Sequence, residues 1–435
     1  MRIPLLHRQL LARWPGVGAV LRQALLLLIA LNSAPAARAE SASSSPTMTL
    51  SQAFEQAWQR HPAFRALADR RAAGEASRQA AHAWTAQPLS LDLRTQDDRV
   101  GSDRGAREVE AGVVLPLWLP GQRHQAQQLA EGESQALEAR IGEARLVLAG
   151  LVRDAWWAWH RANVELQLAQ ARMDHAQALL ADVRRRVQAG DLARSDQHQA
   201  EGALASAEAS RAQAESQRSQ SWQALAVWLA VQGVDEPGPL APQAEAVDSL
   251  TEGSAPSTEA HPTVLALGTQ AMASRRAAEL AATQVRANPE LSLGTVQSRD
   301  VRGEGYQRAL MLGLKVPLGS SPAQAAQAAR ARADASEIEA QLELARLQVA
   351  RGLSGAQTRL RLARQQQDAT RKRAHLAQEN LAFFDKSFRL GETDLPTRLR
   401  MALEAQEAER QDALARVDVS AATSALRQAA GLLPE

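Results

Sequence analysis

The groups capable of chemistry are scattered along this chain. Beyond residue 39 it holds eight histidines: His61, His82, His124, His160, His175, His198, His261 and His375. None falls in a His-x-x-Glu-His or comparable spacing, so no zinc site is expected. His198 lies close in sequence to Asp191 and Asp196, a place for a passing cation to touch rather than a defined site. Cysteine is absent, which removes disulfides, thiolate ligands and a lipid-bearing N-terminal Cys. Gly303-Glu304-Gly305 lacks the further glycine and following helix of a phosphate loop and reads as a hairpin turn. Trp156, Trp157 and Trp159 sit mid-helix, where packing is the better reading than a ligand platform. No catalytic residue, metal or cofactor is expected. Two glycine-centred strings remain: Arg186-Val187-Gln188-Ala189-Gly190-Asp191 and Phe388-Arg389-Leu390-Gly391-Glu392, with Asp196 and Asp394 just beyond.

Very long helices must position those strings. No proline occurs between Pro120 and Pro237, and the composition there is Ala, Gln, Leu, Glu and Arg, all strong helix formers. From Gln122 to Val187 a continuous helix would run about 100 Å. In the second half Ser321 can cap, Pro322 suits the first turn, and no proline follows until Pro396. Ile141, Ala144, Leu148, Leu151, Ala155 and Ala158 step by three and four, a coiled-coil seam. Gly190 and Gly391 end these helices, each followed by acids. The two hairpin tips are either plain solvated turns or the entrance and docking rim of a tube.

The halves are copies. His61-Pro62 recurs as His261-Pro262, Pro88 as Pro289, Leu115-Pro116-Leu117 as Val316-Pro317-Leu318, and Gly190 as Gly391, at offsets of 200 or 201. A duplicated domain follows. Each half opens on a helix; Thr49 with Gln52 makes a capping box. Each half then carries two strands with period-two alternation. Leu89, Leu91 and Leu93 share a face; so do Val109, Ala111, Val113, Leu115 and Leu117. Their counterparts are Leu291 and Leu293, and Leu310, Leu312, Leu314, Val316 and Leu318. Such strands fit a barrel with lipid outside and a polar lumen. Closed membrane barrels need about eight strands or more, so four strands can supply only a sector and several chains must share the closure.

The N-terminus adds the compartment. Residues 1–39 carry five arginines and no acid, an apolar run from Ala24 to Leu31, and Ala37-Arg38-Ala39 before Glu40, the layout of a secretory signal peptide. Without it the five arginines are lost, leaving 45 basic against 48 acidic residues and a formal net charge of −3. With no basic stripe interleaved with aromatics, nucleic acid is not an expected partner.

Taken together, Thr49-Leu50 with Ala53 and Ala57, both His-Pro and Asn288-Pro289 landmarks, both V/L-Pro-Leu strand ends and both glycine tips resemble the TolC family of outer-membrane efflux proteins, over nearly all of residues 48–432. The resemblance implies a mainly α fold with a small transmembrane β part: four barrel strands and long coiled-coil-like helical hairpins per protomer, joining in a trimeric 12-stranded β-barrel and an α-helical tunnel. The domains on this reading are signal peptide 1–39, linker 40–47, first repeat 48–233 (β-hairpin 88–119, tip near 190), Pro-rich linker 234–260 and second repeat 261–435 (β-hairpin 289–318, tip near 391). The linker replaces a Thr-Leu-x-x-Ala opening in the second half. Lipid-facing positions are Leu89, Leu91, Val109, Val113, Leu115, Leu291, Leu293, Leu310, Leu312 and Leu314.

The resemblance further implies a homotrimer in the outer membrane of a Gram-negative bacterium. It couples through a periplasmic adaptor (membrane fusion protein) to an inner-membrane transporter of the resistance-nodulation-division kind. Arg186, Val187, Gly190, Phe388, Arg389, Leu390 and Gly391 then take the adaptor-docking role, and Asp191, Asp196, Glu392 and Asp394 are candidates for the periplasmic aperture. The strings Arg186 to Asp196 and Gly391 to Pro396 are similar to the heavy-metal, CzcC-type branch, which implies export of cobalt, zinc, cadmium or copper cations. Exit of drugs or type I protein secretion uses the same architecture. A periplasmic helical adaptor or scaffold is the reading of another class.

Overall fold

The structure, a computed structural model, describes residues 48–229, 245, 257–284, 286–319 and 321–435. The expected signal peptide, the linker 40–47 and most of 234–260 lie outside the described residues.

Local signals start the helices of both repeats. Before α1 (Leu50–Arg60) the Thr49 hydroxyl accepts from the Gln52 N–H at 3.3 Å, and Gln52 Oε1 accepts from the Thr49 N–H at 3.1 Å. The His-Pro pairs open α2 (Pro62–Arg65) and α6 (Pro262–Thr283) by one device. His61 Nδ1 accepts from Ala63 N–H at 3.2 Å, and His261 Nδ1 from Thr263 N–H at 3.3 Å. Proline stands in the first turn, where its missing N–H has no partner to lose. Helix α3 (Leu67–His82) then leads to the strands. Ser321 stands at the N-cap of the second long helix without a side-chain cap hydrogen bond, so Pro322 alone carries that start.

Strands β1 (Ser90–Asp97), β2 (Arg107–Pro116), β3 (Glu290–Arg299) and β4 (Gln307–Lys315) form one antiparallel sheet in sequence order. The central seam joins the two repeats, with Gly112 opposite Gly294. A Cβ on Gly294 would lie 2.8 Å from the Ala111 carbonyl oxygen, so this close approach needs glycine.

Helices α4 (Gln122–Ala189) and α7 (Pro322–Arg389) have 68 residues each, about 100 Å of continuous helix. Helix α5 (Arg194–Leu229) returns along α4, and α8 (Leu395–Ala429) along α7. Helix α6 packs between α4 and α7: Arg140 bonds Gln270 at 3.2 Å, and Arg275 bonds Glu339 at 2.6 Å. Helix α8 meets α4 through the Trp157 Nε1–H to Ser424 Oγ bond at 2.8 Å.

The largest apolar cluster gathers Leu50, Phe54 and Trp58 of α1, Leu148, Val152, Trp156, Trp157 and Trp159 of α4, and Trp222, Leu225 and Leu229 of α5. Each such side chain contributes about 1.5–3 kcal/mol by leaving water. The expected α4 seam holds at Ile141, Ala144, Leu148 and Ala155, which lie in or against this cluster, and departs at two positions. Leu148 is buried, whereas Leu151 and Ala158 are exposed; the inward line runs through Leu148, Val152, Trp156 and Trp159. Placing α1 and α5 over the tryptophans covers this stripe and leaves Leu151 and Ala158 outside it. The tryptophans are packing residues. Nearby, Glu245 reaches in from the inter-repeat segment. It accepts from Arg153 Nε at 3.0 Å and Nη2 at 2.6 Å, with Arg427 Nε at 3.3 Å, all three side chains buried.

His160 is 4% exposed, its ring 5.1 Å from Trp156 and 5.0 Å from Trp159. Burial pushes its pKa down to about 4. The unfolded chain takes up this proton near pH 6.5, the folded chain only near 4, so stability falls as the pH drops through that window, by about 3 kcal/mol in full. Unfolding midpoints of the parent should decline across this range, and those of His160→Leu should change less.

Candidate functional site

Two regions carry the residues singled out in the sequence: the sheet and the hairpin tips. In the sheet, register and alternation decide the faces. Leu91, Val113, Leu293 and Leu312 stand in one cross-strand row. Leu93, Ala111, Thr295 and Leu310 form the next row, and Leu115, Leu291 and Leu314 the one on the other side. Successive residues of a strand point oppositely, so these rows make one apolar face. It is open to solvent in the single chain, with Leu91 68% exposed, Leu312 70% and Leu310 80%. Val109 shares the face, but its row is polar, with Thr95, Gln297 and Arg308. Leu89 precedes β1, which starts at Ser90.

The opposite face was not singled out in the sequence. It holds Asp92, Arg94, Glu110 and Glu108, with Arg94 2.9 Å from Asp92, and Glu290 3.2 Å from Lys315. The signal was present as the polar half of the alternation, but which residues meet across strands depends on register. Strands β1 and β4 are the two edges of this sheet among the described residues.

The tips repeat one backbone motif. Gly190 has φ +86° and donates to the Val187 carbonyl at 3.1 Å, while Asp191 N–H donates to Arg186 at 2.9 Å. Gly391 has φ +79° and donates to Phe388 at 3.2 Å, while Glu392 donates to Ser387 at 3.0 Å. This is a left-handed glycine ending, strained for any side chain with a Cβ.

The acids divide. Asp394 caps α8, accepting from Thr397 N–H at 3.2 Å, and the Thr397 hydroxyl and N–H hold its carboxyl below the usual carboxylate range. Asp196 Oδ2 accepts from the Ala193 N–H at 3.1 Å. Both are thus engaged at helix starts. Asp191, Glu392 and Asp394 are exposed and Asp196 is half-buried, with Glu392 taking the Ser387 hydroxyl at 3.3 Å. His198 lies 3.5 Å from Glu201, not on the tip acids, and no group of three His, Cys, Asp or Glu among the described residues could hold a metal ion.

Phe388 departs from the expected docking surface. It is 4% exposed, packed with Leu180, Val183, Ala200 and Leu395. Arg186 and Arg398 lie 5.1 and 5.4 Å from its ring centroid, and Arg398 Nε donates to Asp385 at 2.6 Å. Its ring joins the second hairpin to the first, so its bulk went inward because an apolar slot between α4 and α5 was there to fill. Leu390 (65% exposed), Arg389, Gly190 and Gly391 remain outside; Arg186 and Val187 are half-buried.

Residues 53–231 match the outer membrane efflux protein family. That is a transport family and not one of enzymes. The fold agrees over the described chain. A membrane protein from Pseudomonas aeruginosa aligns with TM-score 0.72 at 18% identity, covering 88% of this chain and 93% of that one. The outer membrane protein VceC from Vibrio cholerae gives 0.69 at 17%, covering 89% and 97%. The open state of the Neisseria gonorrhoeae MtrE outer membrane channel gives 0.68 at 18%, covering 88% and 89%. The chain has the fold of these outer membrane proteins, mainly helical with a small antiparallel sheet. A comparison with curated proteins finds no match.

Replacing Phe388 by Ala removes the ring that fills the slot and should cost about 3 kcal/mol or more. Hydrogen exchange should rise around residues 180–204 and 385–399 and stay unchanged around α1.

Proposed function

We propose that this chain is one protomer of a trimeric outer-membrane efflux channel, a passive exit duct. The observation that carries the reading is the sheet: four strands with one face of exposed leucines, the other polar, and edges at β1 and β4 that only further strands can pair. Three such sheets make a closed barrel of twelve strands. Lipid demands that closure, because an open edge leaves backbone groups without partners. The family match over residues 53–231 supports the same reading.

On this reading the repeats 48–233 and 261–435 each give a β-hairpin to the barrel and a helical hairpin to a periplasmic tunnel, joined through 234–260. Glu108, Glu110, Asp92 and Arg94 line the water-filled side. The tips meet a periplasmic adaptor that leads to an inner-membrane transporter. Gly190, Leu390, Arg389 and Gly391 make the exposed contact, with Phe388 setting the rim from inside. Asp191, Asp196, Glu392 and Asp394 are the candidates to line the aperture, Asp196 and Asp394 being fixed there by their helix-start hydrogen bonds. The cargo is heavy-metal cations, such as cobalt, zinc, cadmium or copper. That choice rests on the likeness of Arg186 to Asp196 and Gly391 to Pro396 to the heavy-metal branch, and the transporter rather than the duct selects them.

Detergent extraction of outer membranes should yield a particle with the protein mass of three chains. A monomer, or protein found only in the soluble periplasm, would remove the channel and leave a helical scaffold or adaptor. Gly190→Val with Gly391→Val forces β-branched residues to positive φ; trimers should persist while export fails. Cells lacking the chain should accumulate the metal cations. Accumulation of drugs alone, or loss of a secreted protein alone, would instead assign the duct to drug efflux or type I secretion.

A further inference from the structure

The leucine face of the sheet does not stay apolar to its far end. Arg107 and Arg299 stand directly opposite each other across the β2–β3 seam. Alternation puts Arg107 in phase with Val109, Ala111 and Val113, and Arg299 in phase with Gln297, Thr295 and Leu293, so both lie on the leucine face. Arg308, opposite Gln297, joins them one row nearer the leucines and diagonal to Arg299. Like charges directly opposite in a ladder are destabilising, and a protein keeps such a pair more cheaply when an anion sits between them.

The protein itself supplies little counter-charge. Asp97 stands opposite Arg107 on the same face, its carboxylate 3.7 Å from Arg99, so it is one acid among Arg99, Arg107, Arg299 and Arg308. Asp98 is folded into its own turn, accepting from the Arg104 N–H at 2.7 Å, the Gly105 N–H at 3.1 Å and the Ser102 hydroxyl at 2.9 Å. Asp103 pairs with Arg302 at 3.2 Å. Glu108 and Glu110 fall on the polar face. Arg299 is positioned: its Nε donates to the Gly105 carbonyl at 3.1 Å, and its guanidinium lies 5.0 Å from the Tyr306 ring centroid. Arg107 and Arg308 have neither an ion pair nor a side-chain hydrogen bond among the described residues.

Resting on the barrel reading above, the geometry points to a rim on the outward face of the sheet that binds the phosphates of an anionic lipid in the leaflet facing the cell exterior. Guanidinium groups match phosphate in geometry as well as charge. The occupant is a membrane lipid because the arginines continue directly into the leucine rows. One molecule then lays its phosphates on Arg107, Arg299 and Arg308 and its chains along Leu310, Leu93 and Leu312. Tyr306 beside Arg299 suits the boundary between headgroups and chains. A trimer presents this rim three times.

The test uses the full chain as the detergent-extracted particle, incubated with a bisphosphorylated glycolipid, with the same lipid stripped of phosphate, or with inorganic phosphate. Native mass spectrometry counts what stays bound. The parent should retain the phosphorylated lipid, in a salt-sensitive way, and not the phosphate-free one. Arg107→Gln with Arg308→Gln, which leaves Arg299 on its carbonyl, should lose retention by about ten-fold or more. The polar-face control Arg94→Gln should match the parent. Equal retention by the double variant, or of the phosphate-free lipid, overturns the inference, and inorganic phosphate binding as well as the lipid overturns the lipid as occupant. Particles of three chains that carry no lipid sink this inference alone, whereas failure of the parent to form such particles sinks the channel reading itself.

Discussion

A four-stranded sheet with an exposed leucine face and two edge strands is an unfinished object. Its edges carry backbone donors and acceptors that need partners, and its apolar face needs something other than water. In lipid both demands are met together only when the strands close on themselves. The central β2–β3 pair joins one repeat to the other, so the duplication is built into the sheet at the close Gly112–Gly294 crossing.

The helices meet a different constraint. An element about 100 Å long has too little core of its own, and its stability comes from partners along its length. Those partners change along α4: α3 and α6 near the sheet, α1 and α5 over the tryptophan cluster, and the tip of the second hairpin at the far end. The Arg153–Glu245–Arg427 contact ties the inter-repeat segment to α4 and α8 at one point. Taking such charges out of water is costly, and close bidentate pairing offsets much of it.

Much of this was legible from local chemistry. Thr49 with Gln52, the His-Pro pairs, and Gly190 and Gly391 act within a few residues of themselves, through hydrogen bonds that need no distant partner. Strand alternation likewise survives as the two faces of the sheet. Where side chains depend on distant neighbours, local pattern gave less. Leu151 and Ala158 fit the heptad spacing yet face outward, because α1 and α5 choose which stripe of α4 is covered. Phe388 sits beside an exposed glycine turn yet is buried, because the slot it fills belongs to the other repeat.

The sequence alone therefore determined the elements, the duplication, the turn positions and the polarity of each strand, since all of these follow from residue types and their spacing. Tertiary structure decided which residues meet. It engaged Asp196 and Asp394 at helix starts and gave Asp191 no such role. It set Arg107 against Arg299 across a seam between residues 192 positions apart. Pairing of that kind is fixed by register and by packing between repeats, and those are properties of the assembled chain rather than of any local stretch.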